Sequence, residues 1–204
     1  MRRWIVLAAV AVVLGLGVMG VYAWRTRVSP HQFGGLTKEP PQAAPDFTLT
    51  DETGQTFTLS SLRGQWVLLA YGYTTCPDIC PTTLANLTVV KSQLGAQASQ
   101  VRVVLASVDP ERDTPDVLRQ YLGHFGADFK GLTGSLPAVT QAAQAYGVTF
   151  EKQPEAGALG YTVNHTAFVY LLDPEFRWRV TYPFGVDPKE IVADIHYLMA
   201  EEAQ

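Results

Sequence analysis

The chain has 204 residues and a formal net charge of −4, with 47% of its residues hydrophobic and 17% charged. That length gives one domain, or one domain with an appendage, and that composition describes a packed core rather than a disordered chain. The body of the chain holds no Lys/Arg run, which excludes the basic footprint needed to displace counterions from nucleic acid.

The first 24 residues stand apart. Met1-Arg2-Arg3 precedes an uncharged run, residues 4–24, which Arg25 and Arg27 close. At ~1.5 Å per residue the run spans roughly 31 Å, about one bilayer core. Trp4, Tyr22 and Trp24 lie at its ends, where amphipathic rings favour the interface. The apolar stretch of a cleaved signal peptide is normally shorter, about 7–15 residues, so an uncleaved transmembrane anchor over residues 1–24 is expected. The amino terminus with Arg2 and Arg3 outweighs Arg25 and Arg27, which places the N-terminus inside and the domain outside the cytoplasm. Gly15, Gly17 and Gly20 match the GxGxxG spacing, but they follow no strand and open no soluble helix, so a dinucleotide site is excluded.

Residues 25–44, with Pro30, Gly34, Gly35, Pro40 and Pro41, read as a flexible tether, and residues 45–204 as the folded domain. Phe47-Thr-Leu and Phe57-Thr-Leu flank Asp51-Glu-Thr-Gly54, which predicts a short hairpin. Residues 66–73 form a near-continuous apolar run, as in a strand buried on both faces. Leu84, Leu87 and Leu94 carry helical spacing over residues 77–94, and residues 101–108 read as a second buried strand. Thr114-Pro115 caps a helix to about residue 125, and residues 135–146 predict another, stopped by Gly147. Residues 167–172 and 177–182 read as an antiparallel strand pair, and Asp187 to Glu190 opens a last helix to about residue 200. The alternation is that of an α/β domain, whose right-handed crossovers set the first helix on one face of a mostly parallel central sheet.

Chemistry concentrates at Cys76-Pro-Asp-Ile-Cys80, where a buried strand passes into a helix. A helix N-terminus stabilises a thiolate, and positions i and i+4 share a face, so two sulfurs can converge. The Cα separation at that spacing is ~6 Å, which admits a disulfide as well as a bidentate soft-metal site for Cu(I), Zn or an Fe–S cluster. A structural staple over so short a loop would constrain the unfolded chain little. An active pair is therefore expected. Two sulfurs make an incomplete metal site, and histidine is the commonest third donor. His31 falls in the tether, and His124 and His196 fall on helices as surface residues. His165 precedes an apolar strand that can approach the helix carrying the cysteines. The methionines belong to the anchor or to the last helix. A closed structural zinc site wants four ligands, and only three good ones are visible.

Tyr71-Gly-Tyr-Thr-Thr-Cys76-Pro-Asp-Ile-Cys80-Pro resembles the signature of the Sco/SenC proteins. Ser107-Val-Asp109-Pro-Glu-Arg-Asp113-Thr-Pro115 and Asn164-His165-Thr resemble two further blocks of that family, and the likeness runs from about Pro45 to the C-terminus. The resemblance implies a thioredoxin-like fold with a mixed central sheet and flanking helices, preceded by the transmembrane helix. It also implies copper, as Cu(I) or Cu(II), held by Cys76, Cys80 and His165, and a role in assembling the binuclear copper centre of cytochrome c oxidase. The implied partners are the copper-centre subunit of that oxidase, an upstream copper donor and the membrane. The implied location is a bacterial inner membrane, with the domain on the periplasmic side. The same cysteines suit an alternative, a thiol–disulfide oxidoreductase that reduces the target's cysteines, for which His165 would be dispensable. Asp109 matches an acidic family position near the site. Asp173-Pro-Glu-Phe176 lacks the glycine that the family pattern often has after this Asp-Pro, which makes that turn a point where geometry should differ.

Overall fold

The computed structural model describes residues 14–17, 19, 31–154 and 160–202, and the chain divides into two units, residues 1–32 and 33–204. In the first unit, residues 14–17 and 19 are helical. The rest of the span expected to cross a membrane, like the first part of the tether, lies outside the described residues. Among the described residues no helix is long and apolar enough to cross a membrane.

The second unit is built around β4 (Trp66–Gly72), a strand in which every residue is buried. Period-2 alternation sends its side chains to two separate cores. Val67, Leu69 and Tyr71 join one, and Trp66, Leu68 and Ala70 join the other. The second core is closed by α1 (Ile79–Gln93), α2 (Pro115–Leu122) and α4 (Pro188–Glu202), through Leu84, Leu87, Leu118, Ile191 and Ile195. The first is closed by α3 (Leu136–Ala145), through Val139 and Ala142. Thr114 caps α2 by accepting from the Val117 amide, as its position before Pro115 suggested, and Ser135 caps α3 by accepting from the Ala138 amide.

The other strands of the sheet are β1 (Leu36–Ala43), β2 (Thr48–Asp51), β3 (Thr56–Thr58), β5 (Val101–Ser107), β6 (Lys130–Thr133), β9 (Phe168–Leu172) and β10 (Arg177–Pro183). Their order is β1-β10-β9-β4-β5-β6-β2-β3. A separate antiparallel pair, β7 (Phe150–Pro154) and β8 (Tyr161–His165), packs Phe150, Tyr161 and Val163 against the first core. The fold is the expected α/β architecture with flanking helices, but the mostly parallel sheet is corrected. Among the described residues parallel pairing is confined to β4–β5 and β5–β6, and the remaining ladders are antiparallel.

A second difference concerns the tether. Residues 36–43 form the edge strand β1, paired with β10. Two adjacent prolines argued for a loop, yet an edge strand needs no N–H on its solvent side. The register shift between Thr37 and Gln42 spans Pro40 and Pro41, so the ladder slips past them. The turn after Asp173-Pro174 differs in the manner the missing glycine suggested. Phe176 itself takes a φ of +65° while its ring is buried beneath the Arg63 guanidinium, 5.0 Å away. An L-residue there carries a steric cost on the order of 1 kcal/mol, offset here by burial of the ring.

The β2–β3 hairpin turns on Asp51. Its Oδ1 accepts from the Thr53 and Gln55 amides and the Thr53 hydroxyl, and its Oδ2 pairs with Lys130 Nζ at 3.1 Å. Burial raises the pKa of this carboxyl, but the Thr53, Gln55 and Lys130 hydrogen bonds outweigh it and bring the pKa down to about 2. A depressed carboxylate contributes stability above its unfolded pKa and loses it as the pH falls through the folded value. Asp51→Ala should therefore cost about 1–3 kcal/mol at neutral pH, and the deficit should shrink towards pH 2. Urea titrations of both proteins between pH 2 and 7 measure it, and a pH-independent deficit would contradict the assignment.

Candidate metal centre

The site forms where β4 runs out. Tyr73 continues the buried strand, a tight turn follows, and α1 begins at Ile79. Cys76 therefore lies just ahead of the helix and Cys80 in its first turn, so the pair does not share one helical turn as the spacing suggested. Convergence is reached another way. The Cys80 amide donates to Cys76 Sγ at 3.4 Å, so Cys76 caps the helix with its own sulfur. Cys80 is buried against the sheet, and Gly72 makes the room. A Cβ at position 72 would lie 3.0 Å from Cys80 Sγ and 3.3 Å from Leu105 Cδ1.

His165 arrives from the last residue of β8 rather than from a loop. Its Nε2 is 3.3 Å from Cys80 Sγ, and its Nδ1 lies 3.0 Å from the Thr166 carbonyl. A proton on Nδ1 donated to that carbonyl leaves the Nε2 lone pair facing the sulfurs, the tautomer a metal ligand requires. The Tyr73 ring packs edge-on against the imidazole at 5.9 Å, and its hydroxyl oxygen accepts from the Val163 amide at 3.0 Å. One donor atom from each of Cys76, Cys80 and His165 falls within 4.8 Å of the others. His124 and His196 are exposed and lie apart from the cluster.

Both cysteines are free thiols. The hydrogen bond from Cys80 holds Cys76 well below the usual thiol range, helped by His165 and by the Asp78 and Cys80 amides and opposed by burial. The same hydrogen bond, followed by burial, pushes Cys80 well above that range. The pair thus carries one negative charge readily and resists a second. A bound cation removes that resistance, since a coordinating thiol is deprotonated outright. Two sulfurs and an imidazole form a soft donor set suited to copper or zinc. A cavity of about 360 Å³, lined by Tyr73, Cys76, Pro77, Ile79, Val163 and His165, opens the site to one side.

The turn carrying Cys76 is held from beneath by Asp113, a fully buried carboxylate that accepts from the Thr74 amide and hydroxyl and from the Ser107 hydroxyl at 2.6 Å. The neighbouring Asp109 is also buried and binds Arg112 and the Tyr161 hydroxyl. In the sequence Asp109 stands only as an acidic family position near the site and Asp113 as a member of the same block, because Thr74 and Tyr161, which tie them to the rest of the fold, lie 39 and 52 residues away along the chain. A second acidic group, Asp173, Glu175 and Glu202, also gathers its oxygens, but Arg177 and Arg179 already pair with it.

A model of the SCO1/SenC family matches residues 36–200, a span that contains both cysteines and His165. This chain belongs to the SCO1/SenC family. The mitochondrial SCO2 homolog of Bos taurus is 32% identical over 200 residues, covering 97% of this chain and 75% of that one. Copper-bound ScoI of Bradyrhizobium japonicum superposes with a TM-score of 0.69 at 36% identity, over 76% of this chain and 98% of that one. BsSco, described as carrying a disulfide switch and as a member of the Sco family of cytochrome c oxidase assembly proteins, superposes with a TM-score of 0.61 at 27% identity, over 77% and 93% of the two chains.

In this Sco protein the fit at Gly72 is tight enough to test. Gly72→Ala should displace Cys80 Sγ by a few tenths of an ångström and lower metal affinity by about 10–100-fold, the range for a disturbed ligand support. Competition titration with a chromogenic Cu(I) chelator measures the loss. Unchanged affinity would show that the sulfur does not need this position.

Proposed function

We propose that this Sco protein is a membrane-anchored copper metallochaperone that serves assembly of the binuclear copper centre of cytochrome c oxidase. Copper is its cargo, held by the Cys76 and Cys80 thiolates and His165 Nε2. The observation that carries this reading is the convergence of two sulfurs and a lone-pair imidazole nitrogen on one point. The copper-bound relative supports the identity of the metal, and the role of the Sco family that includes BsSco supports the destination. The apolar run of residues 4–24 supports the anchor and an exported, periplasmic domain.

A chaperone must hold its metal firmly and still surrender it. Three protein donors with an open side meet both demands. The target's first cysteine or histidine enters through the cavity beside Cys76 and His165 as an added ligand, and the donor's ligands then leave in turn. Cys76 is half-buried and Cys80 buried, so the exchange begins at the more accessible Cys76. Metal analysis of the reduced protein beside the Cys76→Ala, Cys80→Ala and His165→Ala variants tests the reading. One copper per wild-type chain is expected, with loss in each variant. No copper in the reduced wild type would overturn it.

The depressed Cys76 thiol with Cys80 directly behind it also favours a second reading, thiol–disulfide exchange with the target. In it Cys76 attacks a target disulfide, releasing one target thiolate and leaving a mixed disulfide. Cys80 resolves that bond and frees the second target thiol, so the target gains two electrons and Cys76–Cys80 is oxidised. Reduction of a target disulfide by His165→Ala at the wild-type rate would support this reading, and no reduction by either protein would exclude it.

A further inference from the structure

The three converging residues come from two bodies with separate supports. Cys76 and Cys80 belong to the β4–α1 turn, which is continuous with the central sheet. His165 ends the β7–β8 ribbon, which among the described residues shares no ladder with that sheet and joins it through Thr166 and Ala167 at the start of β9. Their separation is therefore set by whatever grips both. The Tyr73 hydroxyl, which accepts from the Val163 amide, is one such tie, and the loop between β5 and α2 is another. Between β5 and α2, residues 107–113 close a turn in which the Arg112 and Asp113 amides donate to the Asp109 carbonyl, at 3.2 and 3.0 Å. The Ser107 hydroxyl stitches the loop's two carboxylate residues together, donating to Asp113 at 2.6 Å and accepting from the Asp109 amide at 3.0 Å.

From this loop Asp113 reaches to the cysteine turn and takes the amide and hydroxyl of Thr74. Asp109 and Arg112 reach the other way, to Tyr161. Its hydroxyl donates to Asp109 Oδ1 at 2.8 Å, its carbonyl accepts from Arg112 at 3.1 Å, and its ring lies 3.7 Å below the guanidinium. Tyr161 and His165 are four residues apart on β8, so alternation puts both on one face of the ribbon, Tyr161 on the loop and His165 on the sulfurs. The Glu111–Lys152 pair adds a grip on β7, though both side chains are exposed and such pairs contribute little.

We propose that the Ser107–Asp113 loop is a bracket that fixes the distance from His165 to the cysteine pair, with Asp109, Arg112 and Asp113 as positioning residues for the metal ligands. The bracket acts on copper through the placement of His165, so this inference rests on the copper reading and deepens it. Tying the imidazole to the sulfurs through one rigid loop means that the third ligand is delivered without a search. Loosening the Tyr161 end lets the ribbon swing while leaving all three ligands in the chain. Supporting interactions of this kind govern affinity by about 10–100-fold in metal sites.

The test compares wild type with Tyr161→Ala, Tyr161→Phe and Asp109→Asn by three measurements. Amide hydrogen exchange on the copper-free protein should show faster exchange at Val163 and along β7 and β8 in Tyr161→Ala, with β4 and β5 unchanged. Cu(I) competition should show a 10–100-fold loss for Tyr161→Ala and Asp109→Asn, and a smaller loss for Tyr161→Phe, which keeps the ring under Arg112. Electron paramagnetic resonance of the Cu(II)-loaded variants should show weakened nitrogen hyperfine coupling with sulfur coordination retained. Faster ribbon exchange with wild-type affinity and wild-type nitrogen coupling would overturn the bracket and leave the copper reading standing. Failure of the wild type itself to bind copper would overturn both.

Discussion

Cys76→Ser and Cys80→Ser should each abolish tight Cu(I) binding, with a loss well beyond the roughly 100-fold that marks disturbance of an outer support. The two losses should be equal at equilibrium but arise differently. Cys76 is half-buried and its thiol is held low, so the lost group is the thiolate that meets incoming copper. Cys80 is buried and its thiol is held high, so the lost group is the one that copper must deprotonate. Alkylation separates the two roles. Iodoacetamide at neutral pH should modify Cys76 rapidly and Cys80 at least tenfold more slowly, because thiolate fraction and access both favour the former. Copper loading should protect both. Equal alkylation rates in the copper-free protein would contradict this electrostatic account.

His165→Ala should retain a two-sulfur site of lower affinity and lose the ability to hold Cu(II), since imidazole suits the divalent ion better than thiolates alone do. The expected fall in Cu(I) affinity is again more than about 10-fold. The fold should survive, because His165 is half-buried at the end of a two-stranded ribbon and its contacts are local. Titration followed by visible and paramagnetic resonance spectra distinguishes the loss of a ligand from the loss of structure. Unchanged Cu(II) spectra would remove His165 from the site and favour thiol–disulfide exchange.

The cysteine pair was legible because its setting is local. A buried strand, a turn and a helix start are all written within the neighbourhood of residues 66–94, and the structure places them there. His165 was legible only as a missing third donor, and its strand was not foreseen. Residues 161–165 alternate weakly and residues 150–154 are mostly exposed, so the ribbon they form has little apolar pattern to betray it. The bracket was invisible for a different reason. Asp109 and Asp113 are fully buried carboxylates, and nothing local distinguishes them from loop acids exposed to water. Distant partners, Tyr161 for Asp109 and Thr74 for Asp113, together with the nearby Arg112 and Ser107, make their burial affordable. The edge strand β1 was misjudged because paired prolines argue for a loop unless the partner strand is known to pair around them.

Copper K-edge absorption on the reduced, Cu(I)-loaded protein tests the central claim most directly. The account predicts two sulfur scatterers and one nitrogen scatterer per copper in the wild type, and sulfur alone in His165→Ala. A wild-type shell of sulfur only, or a nitrogen scatterer that persists in His165→Ala, would contradict it.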